Sequence, residues 1–327
     1  NTGEGGLAPH HIEGGCDIVF QIGTAKYGVR DASGELSEDK LREVAETPQV
    51  KMIELKLSQG AKPGKGGILP GAKLTEEIAA IRGIPANQDS ISPNGHPEIE
   101  DIADLLDLIV RIREVSGRPT GFKTVVGAYG WLETMCEQIR ARGIEHAPDF
   151  ITVDSGDGGT GAAPMPLMDN VGLPVKEALP MVVDIVTRYG LKERIRIIAS
   201  GKLITPAEVA WAYCAGADFV NSARGFMFAL GCIQAMKCNK NTCPTGITTH
   251  DPHLQRGLDP ADKAVRVANF VKKMRYGVGL IAHSCGVRHP RELKRYHVRI
   301  VQPSGRSVSF DELYPQQQPL PKYRDAA

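Results

Sequence analysis

The sequence has no surplus of charge of either sign. Its formal net charge is +1 over 327 residues, so no broad electrostatic pull toward nucleic acid or an anionic membrane is expected. It has no apolar run near the ~18 residues of a membrane-spanning helix, and no signal-peptide pattern opens it. Aromatic residues are few, at 6%. The closely spaced cysteine pairs of most zinc and four-cysteine motifs are missing as well. Seven cysteines, an odd number, do not make a disulfide framework. They point to a reducing compartment, the cytoplasm, with one metal site. There is no initiating Met; the chain opens on Asn1 and is expected to continue upstream.

Glycine is plentiful, with 36 residues, and it gathers at the ends of short apolar runs. Six such runs read as buried strands: FQIG (20–23), KMIELKLSQG (51–60), GFKTVVG (121–127), DFITVDSGDGG (149–159), RIRIIASGK (194–202) and DFVNSARG (218–225). Helical patterns separate them. The pattern over 99–117 stops at Gly117, and that over 131–143 stops at Gly143. A third covers 175–190, and the fourth, 205–216, has Thr205 as N-cap and Pro206 at its first position. Repeated strand–loop–helix units imply a parallel α/β architecture. Because functional-looking loops follow nearly every strand, a (β/α)8 TIM barrel is favoured over a doubly wound open sheet. Six strands fall short of eight. The barrel is therefore expected to lack its N-terminal strand or strands in this chain, with NTGEGG the tail of a seventh.

Three glycine loops follow successive strands: DSGDGGTGAAP (154–164), ASGKL (199–203) and NSARG (221–225). Glycines let backbone N–H groups approach an anion closely. Barrels commonly hold phosphate on the loops after their last two strands. Gly201, Ala223 and Arg224 are the candidates for that role, with Gly158 and Gly159 nearby. Lys56 and Lys123 lie inside apolar strands, where an ammonium group needs an anionic partner. Such a cation beside a flavin would stabilise its reduced ring. Lys62 and Lys65 follow on a glycine-rich loop. Cys232, Cys238 and Cys243, after the last strand, suit a three-iron cluster, a zinc ion completed by His250 or His253, or unliganded thiols.

NTGEGG, IELKLSQGAKPGKGG, SISP, DGGTGA and the run from Cys232 to CPTG occur in the order of the FMN-binding synthase domain of glutamate synthase, which the chain resembles over roughly residues 1–250. The resemblance implies an FMN-containing (β/α)8 barrel over 1–250, its cysteine loop at 232–243, followed by a helical extension and tail over 251–327. It implies that reduced FMN passes a hydride to the imine formed from 2-oxoglutarate, or a related 2-oxo acid, and ammonia. It makes Cys232, Cys238 and Cys243 the ligands of a 3Fe–4S cluster that feeds electrons to FMN. Lys56 would lie near the flavin, Lys62 near the 2-oxo acid, Arg82 on a substrate carboxylate and Glu4 at the ammonia entrance. Implied partners are an electron donor (reduced ferredoxin or a pyridine-nucleotide-dependent subunit) and a separate glutaminase subunit.

The sequence departs from the family pattern at two points of one loop. KPGKGGILPG has Lys65 where the family carries an acid and Ile68 where it carries a glutamine. An isoleucine cannot hydrogen-bond a carboxylate or amide. An N-alkylglutamate synthase-type subunit using an amine, and a flavin/iron–sulfur electron-transfer subunit without 2-oxo acid turnover, are the alternatives.

Overall fold

All six expected strands form, and they pair in sequence. They are β1 (Ile18–Ile22), β2 (Val50–Lys56), β3 (Thr120–Val125), β4 (Phe150–Asp154), β5 (Arg196–Ser200) and β6 (Phe219–Asn221). In this computed structural model, which describes residues 1–157, 159 and 161–320, the sheet order is β1-β2-β3-β4-β5-β6, with every pair parallel. A doubly wound sheet would reverse direction part-way across. Here no reversal occurs, and the sheet is a curled six-strand portion of a (β/α)8 barrel. Gly158 and residues 321–327 of the expected tail lie outside the described residues.

The helices start and stop where local chemistry dictates. Ile102–Ser116 begins at a reciprocal cap, Asp101 and Asp104 each accepting from the other's backbone N–H, and ends at Gly117 in the left-handed region. Pro206–Ala215 begins with the same arrangement between Thr205 and Glu208. The apolar sides of these helices, with those of Gly130–Arg142 and Val175–Arg188, bury Ile109, Leu132, Ile139, Val182 and Ala212 against Phe20, Ile53, Phe122, Ile151 and Ile197 of the strands. Burying each of the Val, Leu, Ile and Phe side chains among them contributes roughly 1.5–3 kcal/mol.

The segment after residue 251 carries a long helix, Pro260–Ser284, that packs on Pro206–Ala215 and on Ala223–Leu230. Phe310 is buried in the same core as the barrel, and Arg295 pairs with Asp184 at 2.7 Å. None of the helices among the described residues is long and apolar enough to cross a membrane. At the other end of the chain, Thr2 N donates to Val19 O at 3.0 Å, so the first residues run along the outer edge of β1.

The barrel interior holds a polar layer. Glu54 of β2 is fully buried and accepts from Gln21 Nε2 at 2.7 Å, Thr152 Oγ1 at 2.5 Å and Asn1 Nδ2 at 2.8 Å. These bonds join β1, β2, β4 and the N-terminal segment. Glu54→Leu would strand buried donors on Gln21 and Thr152. We expect it to destabilise the fold by about 2–4 kcal/mol, read as a lower urea midpoint, whereas Lys51→Leu on the exposed face of the same strand should shift it little.

Candidate functional site at the C-terminal ends of the strands

Parallel pairing places Lys56, the last residue of β2, beside Lys123 of β3. Two ammonium groups side by side need carboxylates. Lys56 Nζ meets Glu4 Oε2 at 3.1 Å and Gln59 Oε1 at 3.3 Å. Lys123 Nζ stands 3.9 Å from Asp154 Oδ2 at the end of β4. Burial pulls the Lys56 pKa below the usual lysine range; Glu4 opposes that, and Lys123 and Lys62 add to it. Lys62 joins this cluster from the loop beyond β2. It is only 8% exposed, and among the described residues no carboxylate lies within ion-pair distance of it. Among the described residues the site therefore holds a buried cation, Lys62, without a carboxylate partner.

The loops are fitted closely around these charges. Gly60 N donates to Asp154 Oδ2 at 3.0 Å, and a Cβ on Gly60 would lie 1.6 Å from Ser155 O. Gly201, at φ +129°, approaches the same residue, and a Cβ there would lie 2.1 Å from Ser155 Cβ. Only glycine permits this meeting of the loops after β2, β4 and β5. Ser200 Oγ also donates to Asp154 Oδ1 at 3.1 Å, so Asp154 holds three loops. His96 closes another side, its buried Nε2 2.9 Å from Lys56 O. Burial pushes its pKa down, which keeps the ring neutral.

Arg224 Nη2 donates to Gly159 O at 2.6 Å and so ties the loop after β6 to the glycine loop after β4. Arg224 lies in the first turn of Ala223–Leu230. The cap residue Ser222 spends its hydroxyl on Leu203 O rather than on that turn. The free first-turn N–H groups and the guanidinium make a place for an anion. Arg224 and Gly159 are thus in contact, while Gly201, at the end of the neighbouring strand β5, meets Ser155.

Arg82 ends the helix Glu76–Arg82 behind the N-terminal segment. Its guanidinium lies 4.6 Å from the Tyr27 ring centroid and donates to Ser90 Oγ at 3.1 Å, while its Nε is buried without a partner. Glu4 lies against Gly23 and Gly67, and Gly5 borders the guanidinium of Arg82. Ile68 sits on the short hairpin Ile68–Leu69/Ser90–Ile91, opposite Ile91, and is 52% exposed.

Cys232, Cys238 and Cys243 share one loop, and each is half-buried. Gln234 N approaches Cys232 Sγ at 3.4 Å, and Thr245 Oγ1 lies 3.4 Å from Cys243 Sγ. For Cys243 burial acts to raise the pKa, but hydrogen bonds from Thr245 and Thr248 outweigh it and bring the thiol down to about 6. Between Cys238 and Cys243 in sequence, the Asn239 side-chain oxygen is buried without a partner. Among the described residues no three His, Cys, Asp or Glu side chains gather tightly enough for a single metal ion. Three thiols on one loop, with an N–H beside Cys232 Sγ and a hydroxyl beside Cys243 Sγ, are sulfur donors of the kind an iron–sulfur cluster takes.

Sequence reasoning missed several residues here. Asp154, Glu54 and His96 showed no pattern beyond their residue type. Lys73 was not singled out by any sequence pattern, yet it is buried against the cysteine loop.

The fold is a sequentially wound, partial parallel barrel with buried lysines at the C-terminal ends of its strands. Comparison with known proteins narrows this. The family model "Conserved region in glutamate synthase" matches residues 1–288, and the chain belongs to that family. The glutamate synthase large subunit-like protein YerD of Bacillus subtilis is 43% identical over 313 residues, covering 96% of this chain and 59% of that protein. An archaeal glutamate synthase [NADPH] of Methanocaldococcus jannaschii is 34% identical, covering 90% of this chain and 54% of its own length. The chain thus spans little more than half of these relatives. Among solved structures, the recombinant flavin-binding domain of baker's yeast flavocytochrome b2 superposes with TM-score 0.50 at 16% identity, over 94% of this chain and 62% of that one. A flavocytochrome b2 variant with pyruvate bound gives TM-score 0.50 over 88% of this chain and 57% of that one. These two likenesses support the barrel fold.

The thiol chemistry is directly measurable. In metal-free protein, Cys243 should alkylate with iodoacetamide with a midpoint near pH 6, because the thiolate is the nucleophile. Burial lifts Cys136 and Cys214 to about 12, so both should stay unmodified until the protein unfolds. Peptide mapping by mass spectrometry separates the three.

Proposed function

We propose that this chain is the FMN-binding part of a glutamate synthase-type oxidoreductase that reduces an imine made from a 2-oxo acid and ammonia. The observation that carries the reading is Lys62, a buried ammonium without a carboxylate, beside the Lys56–Glu4 pair at the mouth of the barrel. A buried cation left unpaired is costly, and an anionic ligand offsets that cost. When bound, FMN supplies hydride transfer to a carbon–nitrogen double bond, and an iron–sulfur cluster supplies electrons singly.

The protein's own residues take definite parts. Gly201, Ala223 and Arg224 offer N–H groups and a charge to the FMN phosphate, and Gly159 is held in place for it by Arg224. Lys56 and Lys123 present positive charge toward the ring. Lys62 binds the 2-oxo acid, and Arg82, whose planar guanidinium suits a carboxylate, grips its far end. Glu4 orients Lys56 and borders the Gly66–Gly67 turn where ammonia would arrive. Cys232, Cys238 and Cys243 hold the cluster. Residues 1–250 make up the barrel unit and 251–327 its extension, working in the cytoplasm. Electrons would come from reduced ferredoxin or a pyridine-nucleotide-dependent subunit, and ammonia from solution or a separate glutaminase subunit.

The test begins with the visible spectrum and FMN content of the purified protein. Photoreduced protein is then mixed anaerobically with 2-oxoglutarate and ammonium. Reoxidation with formation of glutamate supports the reading. Reoxidation only when methylamine replaces ammonium selects the N-alkylglutamate alternative. A flavin/iron–sulfur protein that neither mixture reoxidises is an electron-transfer subunit. With turnover established, Lys62→Met and Arg82→Met should each raise KM for the 2-oxo acid by roughly 100-fold, the loss of one charge-assisted contact to a carboxylate. Lys65→Met, on the exposed part of the loop, should have little effect.

A further inference from the structure

Lys73 ends the short turn Gly71–Lys73 and is 8% exposed. Its Nζ donates to Cys238 O and to Thr248 O, both at 2.9 Å. These partners are 165 and 175 residues away in sequence, and they flank Cys243 on either side. Among the described residues no carboxylate lies within ion-pair distance of Lys73. A buried ammonium is costly without an anion, and here the available anions are the candidate cluster ligands.

We infer that Lys73 is a positioning residue for the cluster, clamping two sides of its ligand loop and fixing beside it a positive charge that favours the reduced state. This rests on the reading that Cys232, Cys238 and Cys243 bind a three-iron cluster. Such a cluster with three thiolates is net negative in both oxidation states and gains one negative charge on reduction. A nearby cation therefore stabilises the reduced form more and raises the reduction potential. The placement has a second consequence. Lys73 closes the stretch that carries Lys62, Lys65 and Ile68, so the loop proposed to bind the 2-oxo acid is anchored on the loop proposed to bind iron. The cysteine loop also packs on the glycine loop after β4, where a Cβ on Gly161 would stand 2.5 Å from Met236 O. The cluster loop thus touches both other parts of the site.

The test compares wild type with Lys73→Gln and Lys73→Arg. Iron and acid-labile sulfide per chain are measured first, then the midpoint potential by EPR-monitored titration. Lys73→Gln should keep the three-iron signal with a lower midpoint potential, and Lys73→Arg should restore it toward wild type. A Gln variant with full cluster and an unchanged potential would overturn the role of Lys73 while leaving the cluster intact. If Gln loses the cluster, its retention in Arg supports the charged clamp, and its loss in both variants overturns it. A wild-type protein without iron and sulfide overturns the cluster reading itself, and the role of Lys73 with it.

Discussion

One buried ammonium group organises the mouth of this barrel. Lys56 reaches the end of β2 with its charge almost out of water, and a charge there must be met from several sides. Glu4 comes to it from the N-terminal segment and Gln59 from the following loop, while His96 bonds the Lys56 backbone carbonyl and fixes the end of β2. Asp154 acts in the same way one layer across, holding Gly60 and Ser200 while facing Lys123. The two lysines therefore set the geometry of loops that are distant in sequence.

Charge balance also explains why the loops are so rich in glycine. Pairing Lys123 with Asp154, and Gly60 with Asp154, brings backbones together at distances no side chain tolerates. Gly60 and Gly201 meet Ser155 from opposite sides. The glycines are the steric consequence of an electrostatic arrangement. Beneath them, the Glu54 layer satisfies its carboxylate entirely with neutral donors, so the interior needs no further cation. Above them, at the mouth, Lys62 is buried with no carboxylate in ion-pair distance among the described residues.

The six strands were legible because each is a short apolar run ended by glycine. Gly117, Gly143 and Thr205 marked helix ends for local reasons that hold without tertiary context. The lysines in β2 and β3 were conspicuous because ammonium groups rarely occur within apolar strands. Legibility failed where function depends on distant partners. Lys73 follows Gly-Ala in a polar loop, and nothing local distinguishes it from Lys65, which is exposed. Glu54 went unmarked within its apolar run, because its donors come from Asn1, Gln21 and Thr152. The family motifs located the cysteines, while the spacing alone could not choose among cluster, zinc and inert thiols.

The strictly sequential order of β1 to β6 bears on how such a barrel can be divided and inherited. Each strand bonds only to the strand before it and the strand after it. A cut made in any loop connecting these six strands therefore leaves two pieces, each with an unbroken set of pairings, and a single seam between them within this sheet. Doubly wound sheets do not share this property, because a single cut can leave one piece's strands on both flanks of the other. Complementation by fragments, and the distribution of one barrel over separate polypeptides, are thus open to this architecture through winding order alone.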